Sequence, residues 1–224
     1  MNYLSKRHFH PWEGGEGKVS GQYEYTLIEL AKEKLIKQPE VAIKELQASL
    51  SYPDNLGEGK LPNAEDTIAN YYLAKAYESM GDAKQAKAFY QLASQGDSQP
   101  ESVLYYYDQP ADGILYRGLA NEELGDHQKA RSCYYQLISY GKKHLFDEVT
   151  YDFFAVSLPA TVVFKDDITK NNQIYCHYLM ALGKIGLKEY ESAKADLEKI
   201  LGQVPDHQGA IRHLDLIQDL TNKH

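Results

Sequence analysis

Three tyrosines, Tyr105-Tyr106-Tyr107, run directly into Asp108 and Gln109 and, past Pro110, into Asp112. Flat rings beside hydrogen-bonding groups can stack on a sugar or on a peptide side chain while the polar atoms fix its orientation. Two readings of this stretch stand side by side. Tyr106, Tyr107, Asp108, Gln109 and Asp112 form a ligand site, or the tyrosines pack a connector onto neighbouring helices while Asp112 caps a helix beginning near Gly113.

A second constellation is a pair of echoing loops, Gly14-Gly15-Glu16-Gly17-Lys18 and Leu56-Gly57-Glu58-Gly59-Lys60. A phosphate loop needs four residues between its first Gly and the Gly-Lys pair, then Ser or Thr to reach magnesium. Val19 and Leu61 stand in that last place, so phosphate chemistry is excluded. What remains is either glycine that permits tight turns at the entrances of helix pairs, or a ligand-facing loop in which Glu13, Glu16 and Glu58 offer acceptors to hydroxyls or cationic groups.

The histidines are weaker signals. His8-Phe9-His10 has no third ligand in view and reads as a solvated terminal segment. His177 lies in a helical pattern, where a hydrogen-bonded structural role is expected ahead of ligand contact. Lys165-Asp166-Asp167 precedes a helix beginning near Ile168, and the acids suit the positive end of its dipole. No Ser-His-Asp order, Cys-His pair or HExxH string occurs, so no catalytic residue, metal or cofactor is assigned and self-sufficient catalysis is not expected. Cys133 and Cys176 stand alone in helical patterns and read as reduced, partly buried small hydrophobes.

The elements that position these residues repeat. Ala74 and Gly118 each stand seven residues before a Gly-Asp pair, Gly81-Asp82 and Gly125-Asp126. Each pair is followed by Ala-x-x-x-Tyr, Ala86 to Tyr90 and Ala130 to Tyr134. A small residue in mid-helix admits a close partner, glycine supplies a left-handed helix end, and Asp caps the next helix. The unit is helix, tight turn, helix. A fourth copy runs from His177 through Ala193 to Pro205, and a weaker first copy from Tyr25 through Ala42 to Pro53, with Gln38-Pro39 at its turn. The pairs fall at 25–53, 70–94, 113–140 and 173–204, and His207 to Leu220 carries Ala210, Ile211, Leu214 and Ile217 at helical spacing, as a terminal capping helix would.

This pattern is that of tetratricopeptide-like (TPR-like) repeats. The expected fold is therefore an all-α, TPR-like α-α superhelix of about four helix pairs, with residues 1–22 as a lead-in and 23–224 as one helical domain. The recurring alanines at 42, 86, 130 and 193 are 44, 44 and 63 residues apart, against about 34 for a bare repeat. The surplus lies in connectors at Ser51 to Ala64, Gly96 to Asp112 and Gly141 to Asn172. Long ordered connectors are uncommon unless functional.

The chain also resembles the C-terminal tetratricopeptide region of large bacterial proteins that carry an N-terminal β-rich domain of unknown function. The stretches that carry the likeness are 11–18, 52–60, 105–112 and 153–159. The resemblance implies a β-rich, carbohydrate-active-like domain as neighbour, and none of these 224 residues represents it.

A net charge of −8 argues against nucleic acid or anionic lipid, both of which require clustered Lys and Arg. No apolar run is long enough for a membrane span or a signal core, so a cytoplasmic address is expected. The expectation is a binding or scaffold module for a protein or the β-rich domain. The alternative is an accessory region that lends Trp12, Glu13, Glu58, Tyr106, Tyr107, Asp108 and His177 to sugar binding.

Overall fold

The computed structural model describes residues 1, 3–10, 15–62, 64–97, 99–100, 110–148 and 168–222. Among them nine α-helices follow in order: α1 Lys18–Lys32, α2 Pro39–Ser49, α3 Thr67–Ser79, α4 Ala83–Ala93, α5 Asp112–Glu123, α6 His127–His144, α7 Ile168–Gly186, α8 Tyr190–Gln203 and α9 Gln208–Thr221. A 3-10 turn at Asp54–Leu56 lies between α2 and α3. The first eight helices form four antiparallel pairs. The first helices of successive pairs, α1, α3, α5 and α7, also pack on one another and so form the inner layer of an α-α superhelix. Helix α9 closes the stack against α8 and α7.

The turn chemistry is the expected one. Gly81 and Gly125 adopt φ of 78° and 81°. Gly81 N–H donates to the Glu78 carbonyl and Asp82 N–H to that of Tyr77, both at 3.0 Å, which closes a Schellman motif. Asp82 and Asp126 then accept from the N–H groups of Gln85 and Lys129 and start α4 and α6. The fourth pair makes the same turn with Lys188, a non-glycine residue at φ 65°, whose N–H reaches the Ile185 carbonyl while Glu189 N–H reaches that of Lys184.

Alanines 42, 86, 130 and 193 are all buried at the pair seams. Gly118 serves close approach. A Cβ there would run into the Tyr134 ring, which wedges between α5 and α7. Tyrosine fills much of the core: Tyr71 meets Tyr72 and Tyr116 edge-on with centroids 5.3 Å apart, and the buried hydroxyls of Tyr72 and Tyr116 are 3.1 Å from each other. A phenol in a dry core needs such a partner, and here each supplies the other's.

Several boundaries differ from expectation. Helix α1 begins at Lys18, inside the lead-in. Helix α7 begins at Ile168, where the preceding acids place a helix start, and runs unbroken into the fourth pair from ahead of residue 173. Gly141, read as the start of a connector, is buried within α6, where a Cβ would meet the Cys176 carbonyl oxygen at 2.6 Å. It is a helix-crossing point, and its lack of a side chain imitates a turn signal. Asp112 is the first residue of α5 and not its N-cap, which is Ala111. In α9 the buried face is Ala210, Arg212, His213, Leu216 and Ile217, whereas Ile211 is 41% exposed.

Candidate functional site

The two echoing loops meet. Glu58 Oε1 accepts from Gly17 N–H at 2.9 Å and Oε2 from Ser20 Oγ at 2.5 Å, so the second loop holds the N-terminus of α1. Gly17 sits at φ 75° to make this possible. Around the junction opens a cleft of about 650 Å³ whose walls come from α1, the first connector, the start of α3, the start of α5 and the start of α9.

Lys60 anchors one wall. Its ammonium bonds Asp66, the Ser49 carbonyl at 3.2 Å and Glu24 Oε2 at 3.4 Å, and it lies over the Tyr52 ring. Tyr52 donates to the same Glu24 oxygen at 3.3 Å. Burial raises the Glu24 carboxyl above its ordinary range, with Lys60 opposing the shift, and burial likewise raises Asp66. Two carboxylates thus share one ammonium.

Arg212 anchors the opposite wall. Its Nε donates to Glu29 Oε1 on α1 at 2.5 Å, Nη1 stands 3.5 Å from Asp112 Oδ2, and the guanidinium covers the Tyr25 ring. Only 6% of the side chain is exposed, yet Nη2 is buried with no hydrogen-bond partner among the described residues. Asp112 is pushed up by burial against the pull of Arg212 and of the N–H groups at the start of α5.

Among the described residues five carboxylates line the cleft, Glu16, Glu24, Glu58, Glu65 and Asp112, against the two cations Lys60 and Arg212. Glu65 is bonded by Arg117 at 2.7 Å, and Glu16 has no ion pair among the described residues. The wall also includes Gly21 in the second turn of α1. A Cβ built there meets nothing within 4 Å.

Of the residues singled out in the sequence, Glu16, Glu58 and Asp112 come together here. Trp12, Glu13, Tyr106, Tyr107, Asp108 and Gln109 lie outside the described residues, as does the Lys165-Asp166-Asp167 cap. His177, expected as a hydrogen-bonded structural histidine, is exposed on α7 and does not line the cleft. That role falls to His213, fully buried on α9, with Nδ1 2.7 Å from the Gly209 carbonyl oxygen. His8 and His10 are exposed, while Phe9 between them packs with Leu4 near Tyr23, Leu27 and Leu56. No group of His, Cys, Asp and Glu among the described residues is arranged to hold a metal.

Sequence reasoning misses Glu24, Tyr25, Tyr52 and Arg212, and it sets Lys60 aside with the phosphate-loop reading. A signal exists for α9: Ala210, His213, Leu216, Ile217 and Leu220 share one helical face, and the histidine interrupts an otherwise apolar stripe.

Four helical hairpins around an inner layer, with a cleft at the end nearest α1, define the chain as an α-α superhelical repeat protein. Residues 69–93 and 112–140 match the tetratricopeptide repeat family, and the two stretches take in most of α3–α4 and of α5–α6. No solved structure matches the chain. Among the described residues no helix is long and apolar enough to cross a membrane.

Proposed function

We propose that the chain is a recognition module that holds an extended segment of a protein partner in the cleft beside α1. Tetratricopeptide repeats generally serve protein partners, and stacked helix pairs present a continuous inner surface for that purpose. The observation that carries the reading is convergence. The lead-in, the first connector, the end of the second connector and the start of α9 all contribute to one cleft of about 650 Å³. That volume falls in the range of about 300–1,000 Å³ typical of ligand pockets and suits a few residues of a chain, not a folded surface. A β-rich neighbouring domain is one source of such a segment.

The test is selection from a random peptide library on the wild-type protein, followed by rebinding to Gly21→Trp and Gly59→Trp. Both glycines line the cleft and have open space at Cβ, so an indole at either position is expected to take up cleft volume. Matching melting curves establish that the variants fold. Peptides that bind the wild type and neither variant are the expected result. A selection in which every binder tolerates both tryptophans sinks the proposal. A glycan array run in parallel addresses the sugar alternative, and glycans lost from both variants would displace the peptide reading.

A further inference from the structure

The chemistry of the cleft narrows the segment it takes. Its carboxylates are not balanced from within: Glu24 shares Lys60 with Asp66 just outside the wall, and among the described residues Glu16 has no ion pair and Glu58 is met by an N–H and a hydroxyl alone. Both cations of the wall are already paired with carboxylates and cover the Tyr52 and Tyr25 rings, so their positive charge is met from within the wall. A carboxylate excess in a partly enclosed space is relieved by an incoming cation, because like charges interact more strongly where water is displaced.

Two further observations independent of that excess point to a peptide. The buried Arg212 lines the cleft, and among the described residues its Nη2 has no acceptor. A buried donor left unmade costs about 1–3 kcal/mol, a loss that a ligand oxygen would recover. Gly21 stands inside α1, where glycine is disfavoured by about 0.5–1 kcal/mol relative to alanine, and no described residue approaches it. A helix that bares its backbone toward a cleft leaves room for another backbone.

We infer that the cleft takes a basic peptide segment, with a Lys or Arg side chain set against Glu16 and Glu24 and a main-chain carbonyl accepting from Arg212. This rests on the recognition reading above and adds the chemistry of the partner. The net charge of −8 acts in the same direction at longer range, by drawing cationic segments to the surface before docking.

The peptides selected above, restricted to those lost from both Gly21→Trp and Gly59→Trp, are the probe. Their sequences are expected to be enriched in Lys and Arg over the starting library. The double variant Glu16→Gln/Glu24→Gln is expected to weaken the best of them at least tenfold by calorimetry. In Glu24→Gln the amide keeps an oxygen to accept from Tyr52 and Lys60, and Glu16 has no ion pair to lose, so the melting temperature is the control for folding. For that best peptide the wild-type affinity should fall as sodium chloride is raised from about 50 to about 300 mM, and the variant's should fall less. Cleft-dependent peptides that are neutral or acidic, or that bind the double variant unchanged, overturn the inference and leave the recognition reading standing. If no peptide depends on the cleft, both fall.

Discussion

The Nδ1 atom of His213 lies 3.0 Å from the hydroxyl oxygen of Tyr178, and the carbonyl oxygen of Gly209 is closer still at 2.7 Å. A carbonyl has no hydrogen to give, so Nδ1 carries the proton and the neutral ring leaves the Nε2 lone pair buried with no donor among the described residues. Burial first, and then the neighbouring Arg212 charge, lower the His213 pKa from its usual 6.5 to about 3.

The unfolded chain therefore takes up a proton at His213 between pH 6.5 and about 3 that the folded chain refuses. Stability associated with this residue is fully present above pH 6.5 and is lost as pH falls toward about 3. His207, whose Nδ1 accepts from Ala210 N–H, has a pKa lowered by burial and acts with the same sign. Urea titrations from about pH 7 to about pH 4 should show wild type losing stability faster than His213→Gln, by up to about 1.4 kcal/mol per pH unit. Parallel curves would mean that the imidazole titrates normally.

Two glycines should respond to alanine in opposite directions. Gly21→Ala meets open space and gains about 0.5–1 kcal/mol from helix propensity. Gly118→Ala gains the same propensity but drives a methyl against the Tyr134 ring, and overpacking of this kind costs about 1–3 kcal/mol. Equilibrium unfolding should rank the proteins Gly21→Ala, wild type, Gly118→Ala.

Lys188 occupies the left-handed position that glycine holds in the second and third pairs. Lys188→Gly removes the clash of Cβ with the backbone and should stabilise the chain by about 1 kcal/mol. A rise in thermal midpoint checks it, and a fall would show that the lysine stem contributes more packing than its strain costs.

Cys133 and Cys176 are free and buried, and burial raises both thiols, Cys176 to about 11 with help from Asp147. Neither should form appreciable thiolate at about pH 8. An aromatic disulfide reagent should label both only in denaturant, and stoichiometric labelling of native protein would contradict the buried placement.

What can be read from the chain without coordinates is what local chemistry dictates. Gly81-Asp82 and Gly125-Asp126 announce their turns because the glycine and the cap act within a few residues of themselves. Lys188 hides the same turn, since only a neighbouring pair reveals the register. In the first turn of α1 a single apolar residue, Val19, stands among Lys18, Ser20 and Gly21, and the glycines around it imitate a loop, so the start of that helix is hidden too. Arg212 escapes for a different reason: its partner Glu29 lies on the first helix, and no spacing rule reaches that far. Glu16, Glu58 and Asp112 stand out from loop composition, but the tyrosines and lysine beside them acquire meaning only when α1 and the first connector fold together.

The bond from Arg212 to Glu29, joined by one from Gln208 to Gln22 at 2.9 Å, fastens α9 to α1. Arrays of helical hairpins ordinarily melt by peeling from an end, each unit leaning only on its neighbours. Here the outermost described helices are latched to each other, and α1 cannot fray without releasing a buried guanidinium on α9. The spring has been tied into a loop, so its opening and the shape of the cleft become a single cooperative event.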